Sequence, residues 1–146
     1  MLTQKLELVQ IPSILDSSSH RWKVRALKIE GKSPALAKLV EWEKSEPENF
    51  KKIITSLRMA AREFRVTIRK YVAKCNNRDV YEAIAHSMEA RLMFFYSETE
   101  KAIICTNHCW KTSDNQDAAF SLCATFKALF ETQYGKKAPS PPKRNR

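Results

Sequence analysis

The 146-residue chain contains only two glycines, Gly31 and Gly135. Two isolated glycines cannot build a phosphate-cradling P-loop or a dinucleotide-binding G-x-G-x-x-G, so nucleotide-cofactor chemistry of those kinds is excluded. Long apolar runs are also missing, and none approaches the roughly 18 to 20 residues that a spanning helix needs. The N-terminal MLTQKLELVQ has acid and polar residues where a secretory leader would carry an unbroken apolar stretch, so the expectation is a cytoplasmic chain. Cysteine is limited to four residues, expected there as reduced and mostly buried thiols.

Positive charge is what the sequence does have. It carries 26 Lys+Arg against 16 Asp+Glu, a formal charge of +10, with 43% hydrophobic residues, which fits one small domain with a modest core. The charge is uneven: residues 51 to 78 hold 9 basic and 1 acidic side chains, residues 79 to 131 hold 4 and 8, and the last fifteen hold 5 and none. Like-charge repulsion in the first block is relieved by a polyanion, so Arg62, Arg65, Arg69, Lys70, Lys74 and Arg78 are expected to contact nucleic-acid phosphates. No long apolar face anchored by Trp or Phe accompanies them, so a membrane surface is not an expected partner.

Residues 1 to 20 read as a flexible N-terminal arm, with at most one edge strand over Lys5-Leu6-Glu7-Leu8. Trp22, Val24, Ala26, Leu27 and Ile29 alternate imperfectly with Lys23, Arg25, Lys28 and Glu30, a period-two strand pattern ended by Gly31. Ser33-Pro34 supplies an N-cap and a first-position proline for a helix to about Lys44. Ser45 and Glu48 suggest a capping box for a second helix whose apolar stripe is Phe50, Ile53, Ile54, Leu57, Ala60, Ala61 and Phe64. Residues 65 to 75 suit either a strand or a continuing helix, with the helix preferred. Three strand-like runs follow, Val80 to Ala85, Arg91 to Tyr96 and Ala102 to Cys109, joined by short turns as an antiparallel meander. Asp114 or Asn115 then caps a last helix, and residues 135 to 146 form a basic tail that is disordered by composition. The expected fold is α+β, an antiparallel sheet of about four strands with an N-terminal helical hairpin on one face and a C-terminal helix.

Val80-Tyr81-Glu82-Ala83-Ile84 followed by Arg91-Leu92-Met93-Phe94-Phe95-Tyr96, and then Ile103 through Thr112 leading into a helix, resembles the RelE/ParE toxin superfamily in its HigB-like, phage-derived branch. The likeness spans about residues 21 to 133, within an expected toxin domain of residues 21 to 134. It implies the toxin of a type II toxin–antitoxin system that inhibits translation as a metal-independent, ribosome-dependent mRNA endoribonuclease. In that chemistry a ribose 2′-oxygen attacks the adjacent phosphate, and the protein moves two protons and stabilises the phosphorane. The resemblance puts Arg91 at the phosphate, where its planar fork suits two oxygens. Lys111 adds charge stabilisation or substrate grip, His108 is a candidate acid or base, Glu82 a candidate base or a group that orients Arg91, and Tyr96 a hydrogen-bond partner for the 2′-hydroxyl or phosphate. Implied partners are a helix-turn-helix antitoxin, mRNA and the ribosome, with operator DNA reached through the antitoxin; no cofactor is implied. Ile84 and Thr112 stand where the pattern carries a second arginine and a second lysine. The alternative is therefore a non-catalytic ParE-like gyrase inhibitor or a relative that only binds nucleic acid or protein.

Cys105, His108 and Cys109 have the spacing of half a metal site, but Cys75 and Cys123 are too remote in sequence to supply an obvious second pair, so no metal is expected. Strand alternation would put Cys105 and Cys109 on one face and His108 on the other.

Overall fold

A computed structural model describes residues 4–63, 70–75, 78–111 and 113–135. These form an α+β structure of three helices and a six-stranded mixed sheet. In chain order the elements are β1 (Leu6–Gln10), β2 (Lys23–Ile29), α1 (Pro34–Ser45), α2 (Pro47–Arg62), β3 (Val72–Lys74), β4 (Tyr81–Ile84), β5 (Ala90–Ser97), β6 (Ala102–Trp110) and α3 (Ser113–Tyr134). The sheet order is β1-β2-β6-β5-β4-β3. The meander β4-β5-β6 is antiparallel, whereas β2 runs parallel to β6 from Lys23↔Ala102 to Ala26↔Cys105. The sheet is thus wider than the expected four strands and is not wholly antiparallel.

Two differences account for the extra width. Residues 1–20 read as an arm with at most one edge strand; β1 is that edge strand, paired along its whole length with β2, but the segment is not loose, since Ile11 and Ile14 that follow it are 1% exposed in the core. The apolar residues Leu6, Ile11 and Ile14 are thereby removed from water, which a loose arm would not achieve. Val72–Lys74, where a helix was preferred, is the short edge strand β3. Its β-branched Val72 opposes Ala83 and is buried against α2's side of the sheet, the packing a strand offers such a residue. Phe64, Arg65 and Arg69 lie outside the described residues, as does the tail beyond Gly135.

Local chemistry explains the helices. The Ser33 hydroxyl accepts the Leu36 N–H at 3.2 Å, and Pro34 opens α1 where its missing N–H has no partner to lose. The capping box expected at Ser45 does not form, because α1 runs one residue further and makes Ser45 helical. Its hydroxyl donates back to Glu41 O at 2.8 Å, and Glu46 becomes the α2 cap, its carboxylate accepting from Asn49 Nδ2 at 2.6 Å. Between β2 and α1, Glu30 and Gly31 both have positive φ, 49° and 80°, the two-residue turn that glycine favours.

Helices cover both faces. Leu39 and Trp42 of α1 and Ile53, Leu57 and Ala60 of α2 pack on Val24, Leu92, Phe94, Tyr96 and Ile103. On the other face Ala119, Cys123 and Phe130 of α3 pack on Leu27, Met93, Phe95 and Ile104. The central strand β5 is buried at every position, alternating Leu92, Phe94 and Tyr96 toward one layer with Met93 and Phe95 toward the other. Polar bonds fasten the layers. Ser56 Oγ donates to Ile84 O at 2.6 Å, Lys52 Nζ to His86 O at 2.8 Å, and Trp22 Nε1 to Glu63 O at 2.9 Å. No described helix is long and apolar enough to cross a membrane.

Candidate functional site

The β5–β6 ladder slips by one residue: Met93 opposes Asn107 but Phe94 opposes Cys105. This bulge reverses the phase of β6, because a one-residue slip exchanges the faces of every side chain beyond it. Cys105 therefore joins the α1–α2 layer and Cys109 the α3 layer, correcting the expectation that they share a face. His108 and Trp110 turn toward α1, where the His108 ring lies 5.8 Å edge-on to Trp42 and 6.2 Å from Trp110. Asn107 is buried on the α3 side. It donates from Nδ2 to Ala119 O at 3.1 Å, and its Oδ1 accepts from Thr106 Oγ1 at 2.6 Å.

Three expected site residues come together at the α3-covered end of the sheet. Arg91 is 5% exposed, and its Nε lies 3.9 Å from Glu82 Oε1. Glu82 sits one strand away on β4, and both its oxygens lie near Gln116 Nε2, at 3.0 and 3.3 Å. Arg91 Nη1 donates to Met88 O at 2.8 Å and Ala90 O at 2.9 Å, clamping the β4–β5 turn. Lys111 extends the ladder by donating its N–H to Glu89 O at 2.7 Å, and its exposed ammonium is close enough to act on Glu82. Burial raises the Glu82 proton affinity, opposed by the Gln116 hydrogen bond and by the charges of Arg91 and Lys111.

The other two expected residues lie elsewhere. Tyr96 is 3% exposed, with its ring 4.8 Å from Trp22 and 4.9 Å from Tyr81 in the α1–α2 layer. His108 is on that same side of the sheet, and burial followed by the Lys38 charge holds its pKa below the ordinary 6.5. Neither faces the Arg91–Glu82 pair. Gln116 was not singled out from sequence, since its only signal is its contact with a glutamate that the chain reaches 34 residues earlier.

Among the described basic residues, Arg62 is exposed at the end of α2, and Lys70 and Lys74 are exposed before and at the end of edge strand β3. Lys74 Nζ stands 5.8 Å over the Tyr81 ring, and Arg78 Nη1 donates to Ser121 Oγ at 2.7 Å. Arg65 and Arg69 fall outside the described residues. Lys52 and Arg58, from the same basic block, are instead tied to backbone carbonyls of His86 and Ser13.

No family model, curated protein or solved structure matches the chain. Its chemistry has to be read from the site itself. Among the described residues no group of three His, Cys, Asp or Glu is placed to hold a metal ion. Cys109 is pushed up to about 11 and Cys123 to about 12, mainly by burial, so both are thiols near neutral pH and poor nucleophiles. What the cluster of Arg91, Glu82, Lys111 and Gln116 offers is two cations and a carboxyl of raised proton affinity. That set suits charge stabilisation on an oxyanion with proton transfer beside it.

Proposed function

We propose that the chain is the toxin of a toxin–antitoxin pair and acts on RNA as a RelE-like, metal-independent endoribonuclease. The observation that carries this reading is the convergence of Arg91, Glu82 and Lys111, from three strand segments, at one end of the sheet. Arg91 and Lys111 are the groups that stabilise a phosphorane, and Glu82 is the acid or base whose proton affinity burial raises. Tyr96 and His108 take no part, being on the opposite side of the sheet. Lys70, Lys74 and Arg78 around β3, with Arg62 at the end of α2, hold the RNA backbone, where position matters less than charge. An antitoxin with a helix-turn-helix domain is the expected protein partner, and the ribosome the expected setting.

One observation favours a second reading, a relative that binds RNA or protein without cutting. Arg91 is buried and spends Nη1 on two backbone carbonyls, so its guanidinium is partly structural. Induced expression with mapping of mRNA 5′ ends separates the two. Wild type gives growth arrest with new 5′ ends, and Lys111→Ala, an exposed change that spares the core, reduces both. Arrest without new ends refutes the nuclease reading and leaves binding. A gyrase inhibitor would give arrest with broken DNA instead.

A further inference from the structure

Arg91 combines deep burial with an unused donor. Among the described residues its Nε has no acceptor within hydrogen-bonding distance, although Nη1 has two. Glu82 Oε1 remains 3.9 Å away, and its carboxylate is engaged by the neutral Gln116 amide at 3.0 and 3.3 Å. A buried cationic N–H left in this state is costly, and an oxyanion is the ligand chemistry that relieves it.

Helix α3 packs on the face of the sheet that carries Arg91 and Glu82. From Ala119 onward the helix is fixed to the sheet, by Asn107 Nδ2 on Ala119 O and by buried Ala119, Cys123 and Phe130. Ahead of that point Asn115, Asp117 and Ala118 are exposed, and among the described residues the Gln116–Glu82 contact is the side-chain hydrogen bond that ties this turn to the sheet. We propose that Arg91 Nε is the centre of an oxyanion site, fitted to a phosphate group, which the first turns of α3 cover and Gln116 latches. Lys111, exposed beside Glu82, draws the anion to the opening. Burial favours the neutral form of Glu82, which lessens its repulsion of the incoming charge. The inference rests on the reading of Arg91 as the phosphate-binding residue, and adds what closes the site.

The test uses the full chain, 15N-labelled, with the Arg91 Nε–H resonance assigned by its loss in Arg91→Lys. Inorganic phosphate is the probe, added to wild type and to Gln116→Met, which keeps the length of the side chain without its amide. Removing the side-chain hydrogen bond that holds this turn should let phosphate shift the Arg91 resonance at a concentration about tenfold lower than in wild type. Hydrogen exchange at Nε should be slow in wild type and quicken in Gln116→Met by about the same factor. An Arg91 resonance unmoved by phosphate in both proteins, or equal response in both, overturns the proposal. RNA is absent from the measurement, so its outcome is separate from that of the nuclease reading. A phosphate-responsive Arg91 in a chain that produces no new mRNA ends retains the site and removes the enzyme. New ends with a silent Arg91 do the reverse.

Discussion

Asn107→Leu is expected to loosen α3 from the sheet while keeping the size of a buried side chain. The asparagine, 4% exposed, makes two bonds with no water to replace them: its Nδ2 serves Ala119 O at 3.1 Å, and its Oδ1 receives Thr106 Oγ1 at 2.6 Å. Loss of the first removes one bond from a helical carbonyl, whereas loss of the second takes its acceptor from a hydroxyl that is 1% exposed and leaves it only the Cys123 thiol. At about 1 kcal/mol for the former and about 1–3 kcal/mol for the latter, the expected cost is about 2–4 kcal/mol. That is a large share of the roughly 5–15 kcal/mol that stabilises a domain. Urea unfolding followed by tryptophan fluorescence is the assay, and with a slope of about 2 kcal/mol per molar the midpoint should fall by about 1–2 M. Thr106→Val in the same chain removes that donor, so the double variant should be less damaged than the sum of the singles. A midpoint shift below about 0.3 M for Asn107→Leu, or strict additivity in the double variant, would refute the assignment of Asn107 as an anchor of α3.

Other expectations concern protons, thiols and the turn. Glu82 has a raised folded-state pKa, so its contribution to stability is fully present below the ordinary value of 4.5 and is lost as pH rises through the raised value. Stability measured against pH should therefore decline more for wild type than for Glu82→Gln across that interval, and parallel curves would contradict the burial argument. His108, held low by burial, should titrate below 6.5 by NMR, and its contribution to stability should be lost as pH falls below that value. Iodoacetamide on the native chain should modify half-buried Cys75 first and leave Cys105 and Cys123 untouched until unfolding, as peptide mapping would record. Gly31→Ala should cost about 1 kcal/mol in thermal or urea unfolding because an L side chain at φ 80° is strained.

Much of the local structure could be read from residue patterns. The Ser33-Pro34 start of α1, the apolar stripe of α2 and the three strands of the meander are all set by contacts near in sequence, and these are what a pattern of residue types records. The misses involve partners far apart. The burial of Ile11 and Ile14 depends on elements that follow later in the chain, so the isolated segment, with Pro12 and a serine run, looked like an arm. Val72 became a strand because the edge of β4 was available to it. The bulge at Met93/Phe94 has no glycine or proline to announce it, yet it decided which of Cys105, His108 and Cys109 faces α3. For the site, Arg91, Glu82 and Lys111 were named from the family likeness and are brought together. Gln116, which hydrogen-bonds Glu82, was invisible because its contact exists only between α3 and β4.

The parallel pairing of β2 with β6 also governs how the chain can be assembled. Lys23–Ala26 acquire their inner neighbour only when Ala102–Cys105 have been made, and that neighbour forms the middle of the sheet. During synthesis, β1 and β2 therefore wait as a two-stranded ribbon, too small to be stable by itself, while α1 and α2 emerge with an apolar face and no completed sheet to cover it. A ribosome stalled before β6 would release a sticky fragment. A chain whose synthesis slows after β6 has all six described strands in hand, and α3 then closes the second face.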